Sequence, residues 1–320
     1  MKLDELSRLS ASMASYSTAQ ILERLRVERN DREYNWANMY QELEMSHRYV
    51  DTYRSESMEG GHIPLHSHSF YELLYCLNTC GMEYLLGSSR YQLQRGDLVF
   101  TTPGTDHRPL QPNPLVEPCR RDVIWISGEF MAQLMQMFPF PAAIDLEQSF
   151  LLRTAGTSWE MLGAYFSAGV QEASNRVPGW EAFLAGNTTI LLSQLNRALI
   201  GQHGTLLVQA EKPELLDMVL AYIETHLGEQ ITLSETARHF WVSKSKISQL
   251  FRQKLGVSFY RCVTQRRLIA AKSLILQGVP LKEVNGRVGF SDYSAFFRAF
   301  KQEYGIAPSQ FQELQSRHRM

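Results

Sequence analysis

The chain reads as an α+β multidomain protein: a β-barrel of jelly-roll type, a helical segment, and an all-α unit with two helix-turn-helix patterns. Three observations predict this. The helix-turn-helix pattern recurs within the last hundred residues, the middle of the chain breaks into short strands with close turns, and the charge divides unevenly between those parts. At 320 residues the chain is long for one small domain and comfortable for several, each able to bury its own core.

The first 45 residues are helical in composition, with a strongly charged stretch ILERLRVERNDREY. They read as an N-terminal extension that packs on the barrel or acts as an arm. Residues 46–150 follow, with candidate strands at 47–55, 70–78, 82–86, 90–94, 97–101 and 121–127, rich in Tyr, Val and Leu and punctuated by Gly or Pro. Close turn spacing without intervening helices favours a barrel or jelly roll. Over 151–203 the pattern turns helical. Trp159, Leu162, Phe166 and Val170 share one face, and Pro178 opens a second helix containing Phe183, Ile190, Leu191 and Leu195. Residues 204–213 read as a linker, and 214–320 as the helix-turn-helix unit.

In that last unit ITLSETARHFWVSKSKISQLFRQKLGVSF is echoed by VPLKEVNGRVGFSDYSAFFRAFKQEYGIAPSQF. Leu233 corresponds to Leu281 at an offset of 48, whereas Ser243 corresponds to Asp292 and Gly256 to Gly305 at 49, so the second turn is one residue longer. Ser243 and Asp292 suit helix N-caps, and the two glycines suit left-handed helix ends. Ile247, Leu250 and Phe251, like Phe296, Ala299 and Phe300, fall on one face and leave the other free. Paired short helices also occur in domains that never meet a polyanion, and charge decides between the two. From residue 212 onward 16 Lys and Arg stand against 9 Asp and Glu, a net of +7, whereas the upstream chain carries −8. A basic module joined to an acidic one is the asymmetry expected where one part meets nucleic acid.

No apolar run approaches the roughly 20 residues that cross a bilayer, and the N-terminus lacks the apolar core of a signal peptide, so a cytoplasmic protein without membrane partners is expected. The four cysteines, Cys76, Cys80, Cys119 and Cys262, lack finger spacing and read as reduced thiols, with Cys76 and Cys80 as the conceivable redox pair.

The motifs ITLSETA, VSKSKISQLFRQKLG, RRLIAAKSLI and VGFSDYSAFFRAFKQEYGIAPSQF resemble the DNA-binding domain of the AraC/XylS family of bacterial transcription regulators, over about residues 215–311. Asn285 departs from the pattern where a small alanine is usual, and Gln312 where arginine often stands. Upstream, GHIPLHSHSFYELLY and YQLQRGDLVFTTPGTDH are similar to the cupin barrel that many such regulators carry as sensor. The resemblance implies a regulator that binds double-stranded DNA and a small-molecule effector, pairs as a homodimer through 157–200 and, as an activator, engages RNA polymerase. It implies no enzyme; the alternative is a metal-dependent cupin enzyme with an appended DNA-binding domain.

Carried over residue by residue, the resemblance makes Ser245, Ser248 and Gln249 the base-contacting residues of the first reading head. In the second these are Tyr293, Ser294, Phe297 and Arg298. Gln suits an adenine edge, Arg guanine and Phe a thymine methyl. Lys244, Lys246, Arg252 and Lys301 are expected on phosphates. His66, His68, Glu72 and His107 correspond to the cupin ligands, with alternation placing Glu72 and Tyr71 on opposite faces of their strand. No cofactor is required. The four residues suit either plain contacts to an effector or a divalent metal such as zinc, iron or manganese.

Overall fold

A computed structural model describes residues 45, 47–57, 65–110, 117–138, 144–201, 206–208, 210 and 213–318. The expected extension over 1–45 lies outside the described residues apart from Met45, as does much of the linker over 204–213.

Among the described residues, eight antiparallel strands form two sheets. The larger has the order β1 (Val50–Ser57), β7 (Cys119–Ile126), β2 (Tyr71–Cys76), β5 (Asp97–Thr101), β8 (Phe150–Arg153). The smaller has the order β4 (Ser89–Gln92), β3 (Glu83–Leu86), β6 (His107–Leu110). Turn spacing leads to an expectation of a barrel or jelly roll; among the described residues the strands form two antiparallel sheets and no hydrogen-bonded barrel closes. Close turns dictate antiparallel pairing, but not whether the end strands meet. Tyr53, Leu74, Val99, Val123 and Trp125 of the large sheet share one buried cluster with Tyr84 and Leu86 of the small one, so the two sheets face each other.

The other face of the large sheet is covered by helices. They are α1 (Gly128–Met137), α2 (Leu162–Asn175) and α3 (Trp180–Gly201), whose Phe130, Leu134, Phe166, Leu191 and Leu195 pack on Leu73, Phe100, Ile124 and Leu152. Helix α1 starts where the Ser127 side chain accepts from the Phe130 N–H, at a residue the pattern assigns to a strand end. Strands β6 and β8 escape the sequence pattern. HRPL carries a proline and a charge, tolerable because β6 is an edge strand, with β3 on one side and on the other only a single bridge, from His66 to His107.

Cys80 and Cys119 form a disulfide, contrary to the expectation of reduced thiols. Pairing of β2 with β7 brings the loop after β2 to the start of β7, and the two Cα atoms lie 5.4 Å apart. Cys76 is free and buried, which pushes its thiol up to about 12.

The C-terminal unit is helical: α4 (Leu215–Thr225), α5 (Leu233–His239), α6 (Lys244–Leu255), α7 (Phe259–Leu276), α8 (Leu281–Arg287), α9 (Tyr293–Tyr304) and α10 (Pro308–His318). Its first half packs Leu216, Leu220, Ile247, Phe251 and Phe259 together with Leu65, Leu85 and Leu110 of the strand-rich unit. Its second half has a separate core around Leu268, Val284, Phe296, Phe300 and Phe311. No described helix is long and apolar enough to cross a membrane.

Candidate nucleic-acid interface and buried histidine pocket

Both helix pairs are fixed by local chemistry. In the first, Thr232 caps α5 by accepting from the Glu235 N–H at 3.1 Å, and Ser243 caps α6 by accepting from the Lys246 N–H at 3.1 Å. In the second, Asp292 caps α9 through the Ala295 N–H at 2.7 Å. That hydrogen bond, with one from Ser291, holds the exposed Asp292 carboxyl below its usual range. Gly256 and Gly305 end α6 and α9 at φ 69° and 77°, where a side chain is strained. Asn285 sits inside α8 as an ordinary helical residue, so the helix forms despite the departure from the family pattern.

The cores of both pairs leave one face open. Ile247, Phe251 and Leu255 are buried on α6, while Lys244, Ser245, Lys246, Gln249 and Arg252 are exposed and Ser248 is half-buried. On α9, Phe296, Phe300 and Glu303 are buried, Tyr293, Ser294, Arg298 and Lys301 are exposed, and Phe297 is half-buried. Every residue expected at a base or phosphate thus lies outside the fully buried core. Between the pairs runs α7, an 18-residue helix about 27 Å long at 1.5 Å per residue. Sequence reasoning passed over Trp241, which stands in the first turn at φ 56° and is 94% exposed. Its counterpart at an offset of 48 is Gly289, at φ 79°.

The second site lies between the sheets. His68 Nδ1 is 2.8 Å from the Phe70 carbonyl and His107 Nδ1 is 2.9 Å from the Thr105 carbonyl, so each Nδ1–H donates to backbone and each Nε2 is turned toward Glu72. These Nε2 atoms are buried without a hydrogen bond, at 3.7 and 3.6 Å from the Glu72 oxygens. Trp125 Nε1 donates to Glu72 at 2.7 Å and the Tyr84 hydroxyl donates at 3.4 Å. Burial works to raise the Glu72 pKa, but the close His68 and His107 side chains outweigh it and hold the carboxyl well below its usual range. Burial, reinforced by His66, pushes His107 well below the usual histidine range and keeps it neutral.

One potential ligand atom from each of His68, Glu72 and His107 falls within a common 4.8 Å span. Two nitrogens with free lone pairs, oriented through their other ring nitrogens, and an ionised carboxylate form a donor set that fits a divalent transition metal. His66, the fourth residue expected here, falls outside this set but lies 4.3 Å from the His107 ring, centroid to centroid. The adjoining cavity measures about 20 Å³ and is lined by Glu72 and His66 with Tyr53, Tyr84, Pro109 and Arg121 among others. Such a space takes a water or an ion. Trp125 and Tyr84 were not legible as partners of Glu72, because they reach it through strand pairing (Glu72 opposite Trp125) and through the facing sheet.

Residues 236–314 match the model of a helix-turn-helix domain. The chain is 36% identical over 110 residues to the probable transcriptional regulator LumQ of Photobacterium leiognathi, covering 33% of this chain and 44% of LumQ. It is 37% identical over 92 residues to the arabinose operon regulatory protein of Escherichia coli, covering 28% of this chain and 32% of that protein. A longer match, 25% identical over 262 residues, covers 78% of this chain and 79% of the HTH-type transcriptional regulator YfiF of Bacillus subtilis. The chain therefore spans less than half the length of LumQ and of the arabinose regulator, and more than three quarters of YfiF.

Proposed function

We propose, from the premise that this chain is a DNA-binding transcription regulator of the AraC/XylS type, that its two reading heads engage one duplex and answer to the histidine pocket. The observation that carries the DNA half is the pair of capped helices α6 and α9, each with a buried apolar face and an exposed basic and polar one. Each lies in a major groove, with the heads on sites roughly 10 base pairs apart. Ser245, Ser248, Gln249, Tyr293, Ser294, Phe297 and Arg298 meet base edges, and Lys244, Lys246, Arg252 and Lys301 meet phosphates. Four phosphate contacts give a slope of about −3.6 in log affinity against log salt on duplex DNA. Filter binding of the full chain to genomic fragments between low and moderate salt checks this, and a flat dependence refutes it.

The strand-rich unit is the sensor, of cupin type, and its pocket the input. The occupant the donor set favours is a divalent transition-metal ion held by His68 and His107 through Nε2 and by Glu72 through its carboxylate. Bound there, it supplies positive charge among neutral imidazoles. An organic effector needs a cavity of about 300 Å³ or more, well above the roughly 20 Å³ beside Glu72. Calorimetric titration with zinc chloride tests the metal reading: wild type binds one ion, and His68→Ala and Glu72→Gln lose it. Heat absent from the wild type counts against a metal. Turnover of a small molecule that stops with chelator would instead favour the cupin-enzyme reading, which the regulator names of the relatives do not support.

Pairing of two chains uses α3, where Phe183 and Ile190, seven residues apart, are 45% and 50% exposed on one side of the helix. Sedimentation of the full chain at micromolar concentration gives a dimer, and Ile190→Asp a monomer. An activator among such dimers also meets RNA polymerase.

A further inference from the structure

We infer that the small sheet is the plate that carries the state of the pocket to the first reading head, with Arg108 as the residue that positions helix α6. The inference rests on the proposed reading of the pocket as the input.

Strand alternation makes the sheet two-faced. His107 and Pro109 of β6, with Tyr84 and Leu86 opposite them on β3, point toward the pocket and the large sheet. Arg108 and Leu110, with Leu85 on β3 and Arg90 opposite Leu85 on β4, point the other way. That second face meets the C-terminal unit. Leu85 and Leu110 join the core containing Ile247, Phe251 and Leu255 of α6. Arg90 bonds Glu214 at 3.0 Å and Asp217 at 3.4 Å, at the start of α4.

Arg108 Nη1 donates to the Leu255 carbonyl at 3.2 Å. Leu255 is the last residue of α6, where carbonyls lack partners within the helix and a cation is favourable. Arg108 is 5% exposed, its Nε makes no hydrogen bond, and among the described residues no carboxylate pairs with it. A buried cation held by one carbonyl is costly, so this contact is poised to release. On the other side of His107, Asp106 pairs with the fully buried Arg266 of α7 at 2.7 Å, and Arg266 also bonds Glu224 and the Gly87 carbonyl. The backbone of His107 is fixed as well, exchanging hydrogen bonds with His66 at 2.9 and 3.2 Å. The His107 ring is itself tied to the start of this strand through Nδ1 on the Thr105 carbonyl, so a shift of the ring pulls on the backbone. It moves β6, and Arg108 moves with it. The second head shares no core with this plate.

Hydrogen exchange on the full-length protein tests the route, reading the amides of 252–257 at the end of α6 in wild type, Glu72→Gln, Arg108→Met and the double variant. Each single variant speeds exchange there about tenfold, the double variant exchanges no faster than Arg108→Met, and amides 298–305 of α9 stay unchanged. Arg108→Lys, which keeps a donor for the Leu255 carbonyl, restores both the protection and the response to Glu72→Gln. If Arg108→Met does not fold, Arg108→Leu, which also lacks a donor, takes its place in the cycle. Independent, multiplying effects of the two substitutions overturn the inference, as does a Glu72→Gln effect confined to β2 and β6. Titration with zinc chloride separates this from the metal reading. If the ion does not bind yet the variants couple, the metal reading fails and the route stands; if it binds and the end of α6 does not respond, the route fails.

Discussion

The two reading heads share a plan and differ in what stands behind them. The first buries Phe251 in a core that includes Leu65, Leu85 and Leu110 of the strand-rich unit, whereas the second buries Phe300 among residues of the C-terminal unit alone. A repeated motif can thus stand in unequal surroundings: one copy shares its core with the strand-rich unit, and the other packs within the helical unit alone. The turns differ too. Gly289 is packed so tightly that a Cβ would lie 2.2 Å from the Leu227 carbonyl oxygen, while its counterpart Trp241 projects into open space at a similar backbone angle.

The largest effects that probe this asymmetry come from the cores. Phe251→Ala and Phe300→Ala each cost about 3–5 kcal/mol of local stability. Under hydrogen exchange the first also releases protection in β3 and β6, and the second leaves those strands intact; equal release from both would erase the distinction. Gly289→Ala follows at about 3 kcal/mol, since backbone strain adds to the clash with Leu227. Urea unfolding measures it, and a neutral result would show that the second turn adjusts.

Smaller changes sharpen the comparison on DNA. Arg298→Ala costs about 1–3 kcal/mol at particular base pairs if it reads guanine, while Lys244→Ala weakens all sequences alike. Competition with permuted duplexes separates the two patterns, and the same uniform loss from both would merge base and phosphate roles. Smallest is Trp241→Gly. Relief of the left-handed angle is worth about 1–2 kcal/mol, and about 0.5–1 kcal/mol is returned as glycine's extra chain entropy. The net is a stabilisation near 0.5 kcal/mol, read from the urea midpoint.

What was legible in the sequence follows from range. Caps and helix ends depend on neighbours three or four residues away, so Ser243, Asp292, Gly256 and Gly305 announce α6 and α9 directly. Strand β5 falls on Asp97–Thr101 as alternation and flanking turns require. Features made by distant pairing were hidden: the Cys80–Cys119 bond, the hold of Trp125 and Tyr84 on Glu72, and strand β6, whose Arg108 and Pro109 look like loop residues until the helical unit covers the first and the pocket takes the second. His66, His68, Glu72 and His107 stand out by residue type, but only the folded chain separates the close-set three from His66.

The single rod α7 joins the heads without a break, and Arg267 pins it to the carbonyls of Leu227 and Glu229. A rod of fixed length is a ruler. Each base pair added between the two subsites would turn the second by about 35° around the duplex axis and carry it about 3.4 Å farther along, and a continuous helix cannot follow. If both heads grip one duplex as proposed, binding sites for this protein can drift letter by letter over generations, whereas an insertion or deletion in the middle of one would destroy it at a stroke.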